Sequence, residues 1–351
     1  MSQISVNDIS SLDGKSGPVI SGITTVSSTG YMMVPAGPTE YRGGRGRGIF
    51  SAATAPADTT LVNIIEYITI ATTGNASDFG DLINETRQAT SGGSDSTRGL
   101  FSGGADPTNR NTISYITISA TGNSFDFGDL SEVKRYTGST SDRVRTVIAG
   151  GRNAPGSAAV RTVEFVTTQS LGNAAEFGEL INATWAFAGS ASSPTRGIYF
   201  GGSPGPSSDS TNIIEYVTIQ TKGNAQDFGD LTNKVAYTGP GGIVSSTTRG
   251  IRGGGGGENP FIRVNTLDYI TMASTGDAID FGDLSYTANG VMGCSSLTRG
   301  IFAGGKTPAP ASVNTIEYIT IASTGDTTDF GDMLGTYGFG SSLSDAHGGL
   351  G

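Results

Sequence analysis

The stretches TRGIFAGG (298–305) and NTIEYITIASTGDTTDFGDM (314–333) carry the reading that decides the fold. In the first, an arginine leads a short apolar run into a glycine pair. In the second, Ile316, Tyr318 and Thr320 alternate with their neighbours, a Thr-Gly-Asp turn follows, and the chain resumes up to Phe-Gly-Asp. Period-two spacing of β-branched and aromatic residues is the pattern of a strand. Glycine beside Asn or Asp supplies the positive φ that a tight hairpin needs.

The blocks recur six times. Phe-Gly-Asp/Glu begins at Phe79, Phe127, Phe177, Phe228, Phe281 and Phe330, at spacings of 48, 50, 51, 53 and 49 residues. The run after the arginine reads RGIFSAA (47–53), RGLFSGG (98–104), RTVIAGG (145–151), RGIYFGG (196–202), RGIRGGG (249–255) and RGIFAGG (299–305). The alternating strand carries Tyr67, Tyr115, Phe165, Tyr216, Tyr269 and Tyr318 in turn. A further strand fits between each Phe-Gly-Asp and the next arginine, as at Lys134 to Ser141 or Lys234 to Thr238. Four short antiparallel strands in about 50 residues make one propeller blade, so the sequence predicts an all-β, six-bladed propeller over 45–351.

Closure of the ring is also readable. The first unit begins with its second strand, at Arg47, and the last is followed by MLGTYGFGSSLSDAHGGLG. There, SSLS (341–344) resembles SSLT (295–298), just ahead of Arg299. The C-terminal segment is therefore expected to supply the missing first strand of blade one, which removes open sheet edges.

Composition narrows the function classes. Of 351 residues 55 are glycine, and a period places them where disorder would scatter them. Lys and Arg number 21 against 31 Asp and Glu, a net charge of −10 with no basic block, which argues against nucleic acid as a partner. One His and one Cys offer no set of transition-metal ligands and no internal disulfide, so neither a metal nor another cofactor is expected. No stretch of 18 apolar residues and no basic-apolar leader is present, and membrane insertion is not expected. Residues 1–44 lie outside the repeat. Their apolar Ile20, Ile23, Tyr31, Met32, Met33 and Val34, punctuated by Gly and Pro, read as an extended docking or oligomerisation arm.

The period and the Gly pairs resemble kelch repeats, with Phe127 and its equivalents where kelch blades commonly carry tryptophan. Together, NTIEYITIASTGDTTDFGD (314–332) and ISGITTVSSTGYMMVP (20–35) resemble virion-associated proteins of marine phages, particularly cyanophages. That resemblance implies a structural or tail-fibre-like virion component without catalysis.

Two repeated charges stand out. An arginine precedes each second strand (Arg47, Arg98, Arg145, Arg196, Arg249, Arg299) and an acid follows each Phe-Gly (Asp81, Asp129, Glu179, Asp230, Asp283, Asp332). One cation and one anion per blade are expected to staple the blades through hydrogen bonds or ion pairs. The hairpin pairs Asn75/Asp78, Asn123/Asp126, Asn173/Glu176, Asn224/Asp227, Asp277/Asp280 and Asp326/Asp329 offer oxygens that calcium could use, but Asx side chains capping their own turns are the simpler reading. Asp-Phe-Gly lacks every other element of a kinase, and GGGGG (253–257) lacks the Lys-Ser/Thr of a phosphate loop. His347 has no partner base or acid nearby in sequence, and Trp185 is expected to pack between blades.

The loops after the glycine pairs (105–110, 152–160, 203–211, 256–263 and 306–312) vary while the strands stay alike, which is where recognition is expected. Taken with the resemblance, which implies the virion setting, the expectation is a non-enzymatic virion protein that docks to other virion proteins through residues 1–44 and presents loops for host attachment. The competing expectation is a lectin-like receptor-binding protein that takes a host surface glycan.

Overall fold

The computed structural model describes residues 46–53, 62–86, 91–106, 108–154, 158–205, 210–237, 244–257, 262–308 and 312–351. The arm, including Ile20, Ile23, Tyr31, Met32, Met33 and Val34, lies outside them. The described residues form a six-bladed, all-β propeller of antiparallel blades. Blade two has the order Ser91–Ser94, Arg98–Ser102, Thr112–Thr117, Phe125–Asp129, from first strand to fourth. Blades three, four and six repeat it. In blade five the first-strand position belongs to Ser245, bridged to Gly250, and not to Lys234–Tyr237, while Thr238 lies outside the described residues. The stretch near Lys234 instead bridges Ala236 to Gly256.

Blade one is completed by Ser341–Ser344, which pairs antiparallel with Arg47–Ser51. The register differs from the sequence match by three residues. Ser344 faces Gly48 as Ser295 faces Gly300, so SSLS corresponds to MGCS (292–295) and not to SSLT. In blade two, Asp95 caps the first hairpin by accepting from the backbone N–H groups of Thr97 and Arg98. Asp142, Ser193, Ser246 and Ser296 do the same in blades three to six. In blade one the hairpin is not covalent, yet Asp345 Oδ1 accepts from Gly46 and Arg47 N–H at 2.9 Å each. The clasp reproduces the hairpin across a chain separation of almost 300 residues.

Phe-Gly is a β-bulge. In blade one Ile65 faces Gly80 and Glu66 faces Asp78, which leaves Phe79 as the extra residue, and the same offset occurs in all six blades. A bulge turns the extra side chain out of the ladder, and all six phenylalanines are at most 3% exposed. The glycine then lets two backbones touch. Gly122 N–H, in the Thr-Gly-Asn turn of blade two, donates to Phe79 O at 2.7 Å, and Ser124 N–H donates to Asp81 O at 2.8 Å. A Cβ on Gly80 would sit 2.4 Å from Gly122 O. The same junction joins every blade to the next, including Gly74 N–H to Phe330 O from blade one back to blade six.

A second ring surrounds the axis. Each first strand ends in a buried serine: Ser344, Ser94, Ser141, Ser192, Ser245 and Ser295. Ser245 Oγ donates to Ser192 O and accepts from Ser192 N–H, and Ser295 repeats this on Ser245. Ser344 Oγ donates to Ser295 O, and Ser94 Oγ to Ser344 O. Six inner strands converge here, so small side chains are the ones that fit.

The first-to-second hairpins and third-to-fourth turns emerge at one end of the strands, the hairpin face. The second-to-third loops and the connections between blades emerge at the other, the loop face. If the bulge glycines set the blade spacing, Gly128→Ala, whose Cβ would lie 2.4 Å from Gly172 O, should cost at least about 2 kcal/mol. Gly172→Ala, which meets nothing within 4 Å and is strained only by its φ of +148°, should cost about 1 kcal/mol. Equal losses of Tm in the two variants would remove the backbone contact as the constraint.

Candidate functional site

On the hairpin face, the six arginines reach across blades to backbone carbonyls. Arg47 Nη1 donates to Ile118 O at 2.7 Å and Arg98 to Thr168 O at 3.1 Å. Arg145 donates to Ile219 O and Gln220 O, Arg196 to Met272 O, Arg249 to Ile321 O, and Arg299 to Ile70 O. Each guanidinium also lies 4.3–5.0 Å over the ring of its own blade's third strand, from Tyr67 through Tyr318. A cation over an aromatic face is worth about 0.5–2 kcal/mol, and the same ring meets the bulge phenylalanine edge-on, as Tyr67 meets Phe79.

The six acids are not brought to these arginines. What Asp81, Asp129, Glu179, Asp230, Asp283 and Asp332 offer the next blade is backbone: each N–H donates to Oδ1 of Asn123, Asn173, Asn224, Asp277, Asp326 or Asn75, at 3.0–3.1 Å. The Asx side chains therefore reach into the neighbouring blade and do not simply cap their own turns. Glu179 pairs with a different arginine, Arg161, at 3.3 Å and half exposed. Among the described residues, no group of three or more His, Cys, Asp or Glu could hold a metal ion.

A third repeated position escaped the sequence reading. Glu66, Glu164, Glu215, Asp268 and Glu317 lie buried in the third strands of five blades. Glu66 accepts from Leu334 N–H, Glu164 from Ser131, Glu215 from Ile181 and Glu317 from Ser285, so each caps the end of the preceding blade's fourth strand. Blade two has Ser114 there, and Ser124 Oγ takes the equivalent N–H of Ile83. An acid between two apolar residues of a strand, at the repeat period, was the available signal. Burial pushes the Glu66 carboxyl up to about 7 despite the opposing Leu334 hydrogen bond. Lys134, 2.7 Å away, holds Glu164 below its usual range.

His347 closes the axis on the hairpin face. It is fully buried, its Nδ1 accepts from Gly349 N–H, and its Nε2 lies 3.1 Å from Ser94 O and 3.2 Å from Ser141 Oγ. With Nδ1 an acceptor, Nε2 carries the proton and donates to Ser94 O. Burial lowers its pKa to about 4.

The loop face is built differently. Tyr136, Trp185, Tyr237 and Phe339, from four separate blade connections, pack into one aromatic cluster. Tyr136 stacks on Trp185 with centroids 5.5 Å apart and meets Tyr237 and Phe339 edge-on, while Trp185 meets Tyr237 at 5.6 Å. The guanidinium of Arg152 lies 4.8 Å over Trp185 and that of Arg135 5.6 Å over Tyr136. Tyr136 and Trp185 are buried, whereas Tyr237 and Phe339 keep partial exposure. The sequence reading of Trp185 as an interblade residue holds only in part, since its ring joins this cluster. Beside it, a cleft of about 250 Å³ runs past Asn182, Thr184, Ser203 and Thr211 to Glu215. Ser203 O accepts from Trp185 N–H, which ties the cleft to the cluster.

No known protein-family model matches the chain, nor does any curated protein sequence.

The two shifted groups give opposite pH dependences. Folded Glu66 keeps its proton to about pH 7 while the unfolded chain releases it near 4.5, so stability falls as pH rises between those values. Glu66→Gln should flatten that fall, by up to about 3 kcal/mol between pH 4.5 and 7. An unchanged pH profile would clear Glu66 of the effect. For His347, the unfolded chain takes up a proton near pH 6.5 and the folded one only near 4, so its contribution is lost as pH drops through that window. His347→Gln should show a shallower acid loss in thermal melts from pH 6.5 to 4, and a slope as steep as the parent's would exclude this assignment.

Proposed function

We propose that this chain is a non-enzymatic binding scaffold of a phage virion, a rigid ring that displays recognition loops on one face. One contrast supports the reading most directly. The interblade contacts repeat from blade to blade, while the second-to-third loops and the axial connections of the loop face differ from one another. A fixed frame with divergent loops is the arrangement in which binding specificity resides. The virion setting rests on the resemblance of the repeat phrases and of residues 20–35 to phage virion proteins. Docking is assigned to residues 1–44, with another virion protein as partner.

The absence of catalysis is part of the proposal. The one histidine is spent on backbone groups, the buried carboxylates cap strand ends, and burial pushes the Cys294 thiol well above its usual range. A second reading, a lectin-like receptor-binding role, draws support from the aromatic cluster on the loop face.

Deletion of residues 1–40 should leave a ring with parental Tm that no longer enters particles, measured by quantitative mass spectrometry of purified virions. Normal incorporation of the deletion would sink the docking role. Soluble ring added before infection should slow host adsorption if the loops contact the host.

A further inference from the structure

We infer that the aromatic mouth of the loop face binds an acidic saccharide, one bearing carboxylate or sulfate groups. The inference deepens the receptor-binding reading above by naming the site and the ligand class.

Backbone strain is the first observation. Tyr136, Tyr237 and Phe339 have φ of +59°, +56° and +60°, and they are the non-glycine residues with positive φ among those described. All three belong to the aromatic cluster. A left-handed conformation in a bulky residue is costly and persists where the side chain is needed. Blade six shows the cheaper solution, for Gly290 stands two residues ahead of its first strand, as Tyr136 and Phe339 do in blades three and one, with φ of +71°. Its glycine also makes room, because a Cβ there would lie 2.8–3.0 Å from the backbone nitrogen and ring of Phe339. Three blades thus bear the strain of an aromatic ring at a turn that glycine would relieve.

Charge is the second. In a chain of net charge −10, the loop face gathers Arg110, Arg135, Arg152, Lys234, Arg263 and Lys306. Arg135 and Arg152 lie over rings of the mouth, and Arg110, Arg263 and Lys306 connect to it. Lys134 N–H donates to Arg110 O two residues from Tyr136, Arg263 Nε donates to Asn289 Oδ1, and Lys306 and Asn289 exchange backbone hydrogen bonds next to Gly290. Gly290 in turn links Tyr237 O to Phe339 N–H. Two acids lie nearby: Glu132 is engaged by Thr162 and Asn153, and Glu215, at the far end of the adjoining cleft, accepts from Ile181 N–H.

A plug for the channel would need volume only, and aliphatic side chains supply that without hydroxyl, indole or guanidinium groups to satisfy. Tyr237 and Phe339, the partly exposed rings, next to the guanidinium groups that lie over Trp185 and Tyr136, suit a sugar ring that stacks through its C–H faces and carries an anionic substituent. The adjoining cleft, with Asn182, Thr184, Ser203 and Thr211, offers amide and hydroxyl groups for sugar hydroxyls.

The chain has a single tryptophan, Trp185, so fluorescence excited at the red edge, where its tyrosines do not absorb, reads this site alone. The full chain is titrated with polygalacturonate, heparin, neutral dextran and duplex DNA. Saturable change in Trp185 emission with polygalacturonate or heparin, and none with dextran or DNA, is the expected result. The double variant Arg135→Gln/Arg152→Gln should weaken that binding at least tenfold while still melting cooperatively well above the temperature of the titration. Phe339→Asn, which keeps a left-handed turn while removing the ring, should weaken it similarly. Silence with both acidic saccharides, an equal response to dextran or DNA, or parental binding by both variants would overturn the inference. Because adsorption and virion incorporation are measured separately, loss of this ligand class would leave the scaffold reading standing.

Discussion

The ring depends on a close approach of two backbones, repeated six times. At each blade junction a Thr-Gly-Asn/Asp turn, or its Leu-Gly-Asn or Lys-Gly-Asn variant, lies against a Phe-Gly bulge, near enough that no side chain fits between them. The contact is made by peptide groups, so it tolerates substitution in most flanking residues while it fixes the distance between blades. The arginine bridges, the buried acids and the serine ring act on a spacing already set. The bulge also explains why phenylalanine precedes that glycine, since the extra residue of the ladder must place a large side chain between sheets.

Much of the architecture was legible because it repeats. A motif that returns every fifty residues reports a local structure and its neighbour at once, so blade number, strand order and closure by the C-terminal segment could be read from Phe79 to Phe330 and from residues 341–344. The register of that closure could not, because SSLS matches SSLT (295–298) residue by residue far better than MGCS (292–295), the stretch that it replaces in the sheet. Only the serine ring, in which Ser344 must meet Ser295 and Ser94, distinguishes them. The partners of the repeated charges were equally hidden. Sequence shows that a cation and an anion recur, but the acceptor of each arginine is a carbonyl, and carbonyls leave no trace in residue identity.

The aromatic mouth was invisible for another reason. Tyr136, Trp185, Tyr237 and Phe339 come from four connections that share no motif, and topology alone brings them together. The cluster's aromatic residues belong to the connections into blades three, four, five and one, while blade six carries Gly290, so six near-equivalent blades meet an axis whose positions are unequally occupied. A frame with near six-fold repetition therefore presents a mouth of lower symmetry, and a ligand there meets one defined orientation instead of six equivalent ones.

The clasp between Asp345 and the start of the second strand bears on how the protein is made. Blades two to six can each assemble from contiguous residues, but blade one waits for its inner strand until residues 341–344, downstream of every other blade, have been made. Until then Arg47–Ser51 has one unpaired edge, and the sixth blade lacks its neighbour. Contacts this distant in sequence form slowly, and an open edge invites pairing with another chain. The nascent ring is thus an open spiral whose closing step is also its protection: residues 341–344 cover the edge that had been exposed longest.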